Sequence, residues 1–145
     1  MLTTDQKGSI AELAITREAL ALGVDVYRPC FSGGRYDLIL GLDAKLLRIQ
    51  CKWATVKNDV VSIRCYSSRR GPDGFVNRAY SSDEIDALAA FCPKLDRCFL
   101  VPIARIDGRP TVQLRVAPAR NNQRRLVNRA EDFDFAATLR ALAGP

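Results

Sequence analysis

No histidine occurs anywhere in the 145 residues. That absence removes histidine general bases, histidine-dependent triads and the usual zinc sites from consideration. Cysteine is present in a pattern that does not staple: Cys30, Cys51, Cys65, Cys92 and Cys98 are an odd set without C-x-x-C spacing, which argues against a disulfide framework. No apolar run reaches the ~20 residues that span a bilayer. The first residues carry no apolar signal core, so a cytoplasmic protein with no membrane partner is expected. The chemistry left to such a chain uses carboxylates, amides, lysines or a hard metal ion.

What is present fits one soluble domain over residues 1–145. Hydrophobic residues make up 48% and charged residues 26%, and the length is enough to bury a core without staples. The formal net charge of +6, from 22 Lys and Arg against 16 Asp and Glu, favours a polyanionic partner such as nucleic acid.

The chain is organised around Tyr36-Asp37-Leu38-Ile39-Leu40 and Leu46-Leu47-Arg48-Ile49-Gln50-Cys51-Lys52-Trp53. Both segments alternate with period two, and Gly41 to Lys45 carries turn residues, which predicts a β-hairpin. In its second strand Leu47, Ile49, Cys51 and Trp53 point one way, and Leu46, Arg48, Gln50 and Lys52 the other. A turn closed at Asp43-Ala44 sets Asp37 opposite Gln50. A carboxylate, an amide and an ammonium then crowd one surface, either as a site or as a cross-strand ion pair of small worth.

Upstream, Thr3-Thr4-Asp5-Gln6 has capping-box spacing and opens a helix to about Leu22, with Gly23 as its stop. Apolar residues surround it on most sides, which predicts a largely buried helix. Glu12 shares a side with Gly8, Ile15 and Ala19, where a carboxylate needs a cation partner or a route to solvent. A short strand Val24 to Arg28 ends at Pro29. The Phe31-Ser32-Gly33-Gly34-Arg35 loop, a ligand-approach loop or a plain turn, leads into Asp37.

Downstream, Val60 to Tyr66 reads as a strand and Ser67 to Tyr80, with Arg69, Arg70 and Arg78, as a long polar loop of functional length. Ser81-Ser82-Asp83-Glu84 predicts a second helix through Phe91, broken at Pro93. Cys98 to Ile103 predicts a buried strand. Asp107-Gly108 marks a turn into a strand at Thr111 to Val116. From Gly108 to Ala130 there is no acidic residue, while Arg109, Arg115, Arg120, Arg124, Arg125 and Arg129 gather around Asn121-Asn122-Gln123. This is either a nucleic-acid contact segment or a solvated basic loop. Glu131 to Ala143 reads as a closing helix.

Several motifs in order resemble the PD-(D/E)XK nuclease superfamily. Lys7-Gly8 with Ala11-Glu12, Arg35-Tyr36-Asp37, Leu47-Arg48-Ile49-Gln50-Cys51-Lys52, Asp86 with Phe91-Cys92-Pro93, and Phe99-Leu100-Val101-Pro102 are similar to the group I intron-encoded homing endonuclease branch. The resemblance covers the chain to about residue 103, and Asn121-Asn122-Gln123 with its basic neighbours is similar to the tail of that branch. It implies an α/β (α+β) restriction-endonuclease-like core of order αβββαβ, a mixed central sheet flanked by helices, and a C-terminal strand and helix extension. It also implies Mg²⁺-dependent cleavage of double-stranded DNA, with Mn²⁺ able to substitute, no nucleotide cofactor, and a homodimer or homotetramer. Glu12, Asp37, the Gln50 oxygen and the Cys51 backbone carbonyl would hold the metal, and Lys52 would orient the nucleophile and offset developing charge. Lys7, Ser32, Arg35, Arg69, Arg70, Arg120, Asn122, Arg124 and Arg125 would hold DNA. Two departures stand out: Gln50 replaces the usual Asp or Glu and removes a negative charge, and Tyr36 replaces the Pro before Asp37. The implied alternatives are a Holliday-junction-resolving nuclease, for the Lys7-Gly8-x-x-x-Glu12-like spacing, and a non-catalytic DNA-binding module on a decayed nuclease fold, for Gln50.

Overall fold

The computed structural model describes residues 1–106, 108–117 and 127–144. Within them, two helices and ten strands form an α+β fold around a mixed sheet. The expected hairpin is its centre: β2 (Leu38–Leu42) and β3 (Lys45–Trp53) pair antiparallel with Leu42 opposite Lys45 and Leu38 opposite Ile49. The turn therefore falls on Asp43-Ala44. In β3 the residues Leu47, Ile49 and Cys51 are buried and Arg48, Gln50 and Lys52 half-buried, because neighbouring side chains alternate between faces. The sheet extends outward to β1 (Asp25–Tyr27) beside β2, and to β8 (Ala87–Cys92) and β9 (Arg97–Pro102) beyond β3, in the order β1-β2-β3-β8-β9. Within this sheet only β3 and β8 run parallel.

Helix α1 (Thr4–Ala21) starts at a reciprocal cap, in which Gln6 N–H donates to Thr3 Oγ1 at 3.1 Å and Thr3 N–H to Gln6 Oε1 at 2.9 Å. It ends at Gly23, whose φ of 80° lies in the left-handed region that glycine enters without strain. The helix is less buried than its composition predicts. Only Ala11, Ile15 and Ala19 are fully covered, while Leu13 and Leu20 are 63% and 57% exposed, because one stripe at four-residue spacing meets the sheet. That stripe joins Leu38, Leu40, Leu47, Ile49, Cys51, Ala87 and Ala89 in one core, closed by Phe135 and Leu139 of α2 (Phe135–Ala143).

The opposite face of the sheet carries a second core. There Ile85, Leu88, Ala90, Phe99 and Val101 meet Val61 and Ile63 of β5 (Val60–Arg64) and Val112 and Leu114 of β10 (Thr111–Arg115). Strand β5 lies between β10 and β4 (Thr55–Lys57) in a three-stranded antiparallel sheet.

Three expected elements are different. The segment predicted as a second helix is strand β8, so the order αβββαβ does not hold at that point. The cap signal is real but yields one turn: Ser81 N–H and Oγ both donate to Glu84 Oε1 at 3.3 Å, and Ile85 N–H reaches Ser81 O. Asp86 N–H then donates to Arg48 O at 2.9 Å, which draws the chain into the sheet. Between β3 and β9, with a core on each face, Ala87-Leu88-Ala89-Ala90 gains more from burial than alanine's helix propensity gains elsewhere. The predicted polar loop Ser67 to Tyr80 is likewise ordered, as an antiparallel ribbon of β6 (Tyr66–Gly71) and β7 (Gly74–Ala79). The closing helix begins at Phe135 rather than Glu131, after a 3-10 turn over Ala130–Phe133.

Candidate active site

The ladder of β2 ends at Leu38, opposite Ile49, and Asp37 lies just before it: its N–H donates to Ile49 O at 2.8 Å, one residue off the Gln50 position expected for it. Its carboxylate turns onto β3, where Oδ2 accepts from Cys51 N–H at 2.9 Å. Burial pushes the Asp37 carboxyl up from its ordinary range, and the Cys51 N–H and the Lys52 and Arg28 charges only partly offset this. Two residues from Gln50, Lys52 Nζ donates to Tyr66 O at 3.0 Å and lies 5.1 Å from the centre of the Tyr80 ring. Burial lowers its pKa; the Asp37 charge opposes the drop and Arg64 and Arg35 add to it. Burial also pushes the Tyr80 phenol up to about 12, so it stays neutral beside that ammonium.

Glu12 reaches the same region from α1 at the edge of the buried stripe. Its pKa is raised by burial first and by the Asp37 charge second. Arg28, at the end of β1, offsets this in part: Nη1 lies 3.4 Å from Glu12 Oε1, and Nη2 donates to Thr16 Oγ1 at 3.1 Å. Gln50 turns its amide along the strand, with Nε2 donating to Cys51 O at 3.3 Å. Burial pushes the Cys51 thiol well up, and the Asp37 and Glu12 charges add to that. Glu12, Asp37, Lys52 and the Cys51 backbone thus form one electrostatic cluster, with Gln50 on its margin.

The expected DNA contacts separate into groups. Ser32, Arg69 and Arg70 are exposed, and Lys7 is half-buried with Nζ 5.8 Å from the centre of the Trp53 ring. Arg35 is turned inward: Nε donates to Glu84 Oε2 at 2.8 Å, Nη1 to Ser67 Oγ at 2.6 Å and Nη2 to Ala79 O at 2.5 Å. With every guanidinium nitrogen bonded within the chain, Arg35 is a clasp rather than a free phosphate contact. Arg120, Asn122, Arg124 and Arg125 lie outside the described residues.

Three residues that matter here are given no role by the sequence. Arg28 balances Glu12, and the available signal was a cation closing an edge strand opposite a lone helix carboxylate. Arg48 and Asp86 brace the site from below: Arg48 Nε and Nη2 donate to the two Asp86 oxygens, each at 3.1 Å, and Arg48 N–H to Asp86 Oδ2 at 2.7 Å. Nothing in the pattern of β3 separates Arg48 from a solvated strand residue.

Among the described residues no three His, Cys, Asp or Glu side chains come together as a metal cage. Two carboxylates whose pKa values burial raises, a strand carbonyl and an amide are a poor zinc site. They suit a hard cation that takes one or two carboxylates and completes its shell with water and substrate phosphate. A half-turn of the Gln50 amide puts Oε1, in place of Nε2, toward the Cys51 carbonyl, so a cation can share that oxygen pair. Among the described residues no helix is long and apolar enough to cross a membrane.

Comparison with known proteins agrees with this geometry. The model of one family, described as PD-(D/E)XK endonuclease, matches residues 2–136. The solved structure of a bacterial homing endonuclease, I-Ssp6803I, shares the fold: the TM-score is 0.79 at 23% identity, over 99% of this chain and 96% of that one. No curated protein matches significantly.

Proposed function

This chain belongs to the PD-(D/E)XK endonuclease family, whose members typically use a divalent metal and for which DNA is the implied substrate. We propose on that premise that it is a single-domain, Mg²⁺-dependent endonuclease that cuts double-stranded DNA at specific sites, as a homing endonuclease does. It works as a homodimer or homotetramer, because one such site cuts one strand. The observation that carries this reading is the convergence of Glu12 from α1 and Asp37 and Lys52 from the central hairpin, with the Asp37 carboxylate hydrogen-bonded to the Cys51 backbone.

Glu12, Asp37, the Cys51 carbonyl and Gln50 would hold the metal, Mg²⁺ or Mn²⁺. Bound there, the ion supplies Lewis-acid polarisation of the scissile phosphate. Lys52 supplies the fixed positive charge. Among the described residues one of its N–H groups is taken by Tyr66 O, which leaves two to orient a water and to meet the charge that develops on the phosphate oxygens. Its lowered pKa, with burial as the main cause, makes loss of a proton from Lys52 easier than from an exposed lysine. Lys7, Ser32, Arg69 and Arg70 hold the DNA, together with Arg120, Asn122, Arg124 and Arg125.

The test is cleavage of supercoiled plasmid and of genomic DNA with Mg²⁺ or Mn²⁺, with a chelator as the control. Discrete metal-dependent cuts are expected, and end-mapping then gives the target. A second reading, a non-catalytic DNA-binding module, is favoured by one observation: the Gln50 Nε2 donor, not its oxygen, faces the Cys51 carbonyl. Tight, salt-sensitive binding that survives metal removal, with no cutting of any substrate, would establish that reading instead.

A further inference from the structure

Neither core needs the β6–β7 ribbon. From Ser68 to Ala79 every residue except Gly71 is exposed, and Phe75 stands 76% exposed at its outer end. Arg69, Arg70 and Arg78 face a single acid, Asp73, at the tip. Strand pairing sorts the side chains. Ser68 opposite Asn77 and Arg70 opposite Phe75 share one face; Ser67 opposite Arg78 and Arg69 opposite Val76 share the other. Ser68 Oγ donates to Asn77 Oδ1 at 2.8 Å, which leaves the Asn77 amide hydrogens pointing away from the pair.

The root of the ribbon is held firmly. Arg35 grips both strands at once, through Ser67 Oγ on β6 and Ala79 O on β7, while Glu84 binds Arg35 from below and Arg78 from outside at 2.7 Å. The Tyr80 ring carries both Arg35, at 4.2 Å, and Lys52, at 5.1 Å. Lys52 Nζ in turn donates to Tyr66 O, the first carbonyl of the ribbon. A projecting element whose tip is cationic and whose root seats a candidate catalytic lysine is suited to carry contact at one end to chemistry at the other.

Resting on the endonuclease reading above, we propose that the β6–β7 ribbon is a DNA-reading arm that enters the major groove, and that Arg35 is the positioning residue that orients it. The major groove, about 12 Å wide, admits a two-stranded ribbon, whereas the undistorted minor groove is only about 6 Å wide. Six residues per strand reach roughly 20 Å, enough to lie along the groove with the root at the backbone. On the face that carries them, Arg70 has the fork that fits guanine, Asn77 the amide that fits adenine, and Phe75 an apolar surface for a thymine methyl. Arg69 and Arg78, on the other face, meet phosphate.

The test is binding of a fluorescent duplex of random sequence, in Ca²⁺ and over a salt series, by the full chain and three variants. Arg69→Ala/Arg70→Ala should bind roughly tenfold more weakly, with the salt slope reduced by about one for each phosphate that no longer has an arginine against it. Arg35→Ala should weaken binding with the salt slope unchanged, because it loosens the arm without taking a cation off the phosphates, and Arg35→Lys should fall between it and the native protein. Methyl green, which fills the major groove, should displace the protein, and distamycin, which fills the minor groove, should not. Native affinity in the double variant, or displacement by distamycin alone, overturns the arm. A slope reduced by one in Arg35→Ala overturns the clasp and returns Arg35 to the residues that touch phosphate. If the native chain binds no duplex at all, the endonuclease reading falls as well.

Discussion

Replacing Arg48 by alanine isolates the brace beneath the site. The change removes the Nε and Nη2 bonds to Asp86 and the bonds from Nη1 to Asp83 O at 2.5 Å and from Nη2 to Ser82 O at 2.9 Å, but keeps the backbone bond from residue 48 to Asp86. A well-buried set of charge-assisted bonds is worth about 1.5–3 kcal/mol each. Here the two side chains are 31% and 33% exposed, and solvent screening discounts such pairs heavily. A loss of about 2 kcal/mol is therefore expected, above the ~1 kcal/mol ceiling of an ordinary surface pair. For a domain of this size that lowers Tm by roughly 4–8 °C. The pH dependence has a definite sign. Burial pushes the Asp86 carboxyl up, but the bonds and charge from Arg48 hold it below its ordinary value on balance. A group depressed in the folded state contributes stability that is complete above its unfolded pKa and lost as pH falls through its folded pKa. The gap between native protein and Arg48→Ala should thus be full at neutral pH and close in acid. Urea unfolding followed by the single Trp53, which stacks edge-on against Phe91 at 6.2 Å, measures it. A gap under about 0.5 kcal/mol at neutral pH, or one that persists in acid, refutes the reasoning.

Asp37→Asn should stabilise the metal-free fold at neutral pH while abolishing function, the usual conflict at an active site. The folded Asp37 pKa is raised, mainly by burial, so its ionised form weakens the fold above that pKa and the variant's advantage should vanish below the unfolded value. Urea unfolding across pH tests this, and a less stable asparagine variant at neutral pH would contradict it. Mn²⁺ should raise the Tm of the native chain and leave that of Asp37→Asn unchanged. Ala89→Leu puts a large side chain under Ile15 and Ala19 of α1 and should destabilise by about 1–3 kcal/mol; a neutral result in thermal unfolding would mean that the helix does not press on β8. Thr3→Ala removes the cap hydroxyl that accepts from Gln6 N–H and should lose about 1 kcal/mol in the same assay.

The parts of the fold legible in the sequence are those whose signals are local. The Thr3 to Gln6 cap, the Gly23 stop, the Asp43-Ala44 turn and the alternation of β3 all emerge as expected, and the hairpin brings Asp37 to β3, though its bonds go to Ile49 and Cys51 and not to Gln50. Strand β8 was hidden because its identity is tertiary. Four residues of good helix propensity sit behind a genuine cap, and only a place between β3 and β9, with a core on either face, makes them a strand. The ribbon was hidden because it alternates in no hydrophobic sense: Phe75 and Val76 stand on opposite faces among polar residues, and its root is clasped by Arg35, whose partners lie 32 to 49 positions away. Separation in sequence likewise concealed Arg28, 16 positions from Glu12, and the Arg48–Asp86 brace, 38 positions apart. Their side chains look like ordinary surface charges until the fold brings their partners to them.

If the fold has the function proposed, the Asp37 and Lys52 cluster breaks phosphodiester bonds. Single-turnover cleavage of a DNA that the native chain cuts, with Mg²⁺, compares it with Asp37→Ala and Lys52→Ala, each first shown to be folded and to bind that DNA. The account predicts that both variants bind and neither cuts. A variant that still cuts at the native rate would remove its residue from the mechanism, and native-rate cutting by both would mean that the chemistry happens elsewhere in the chain.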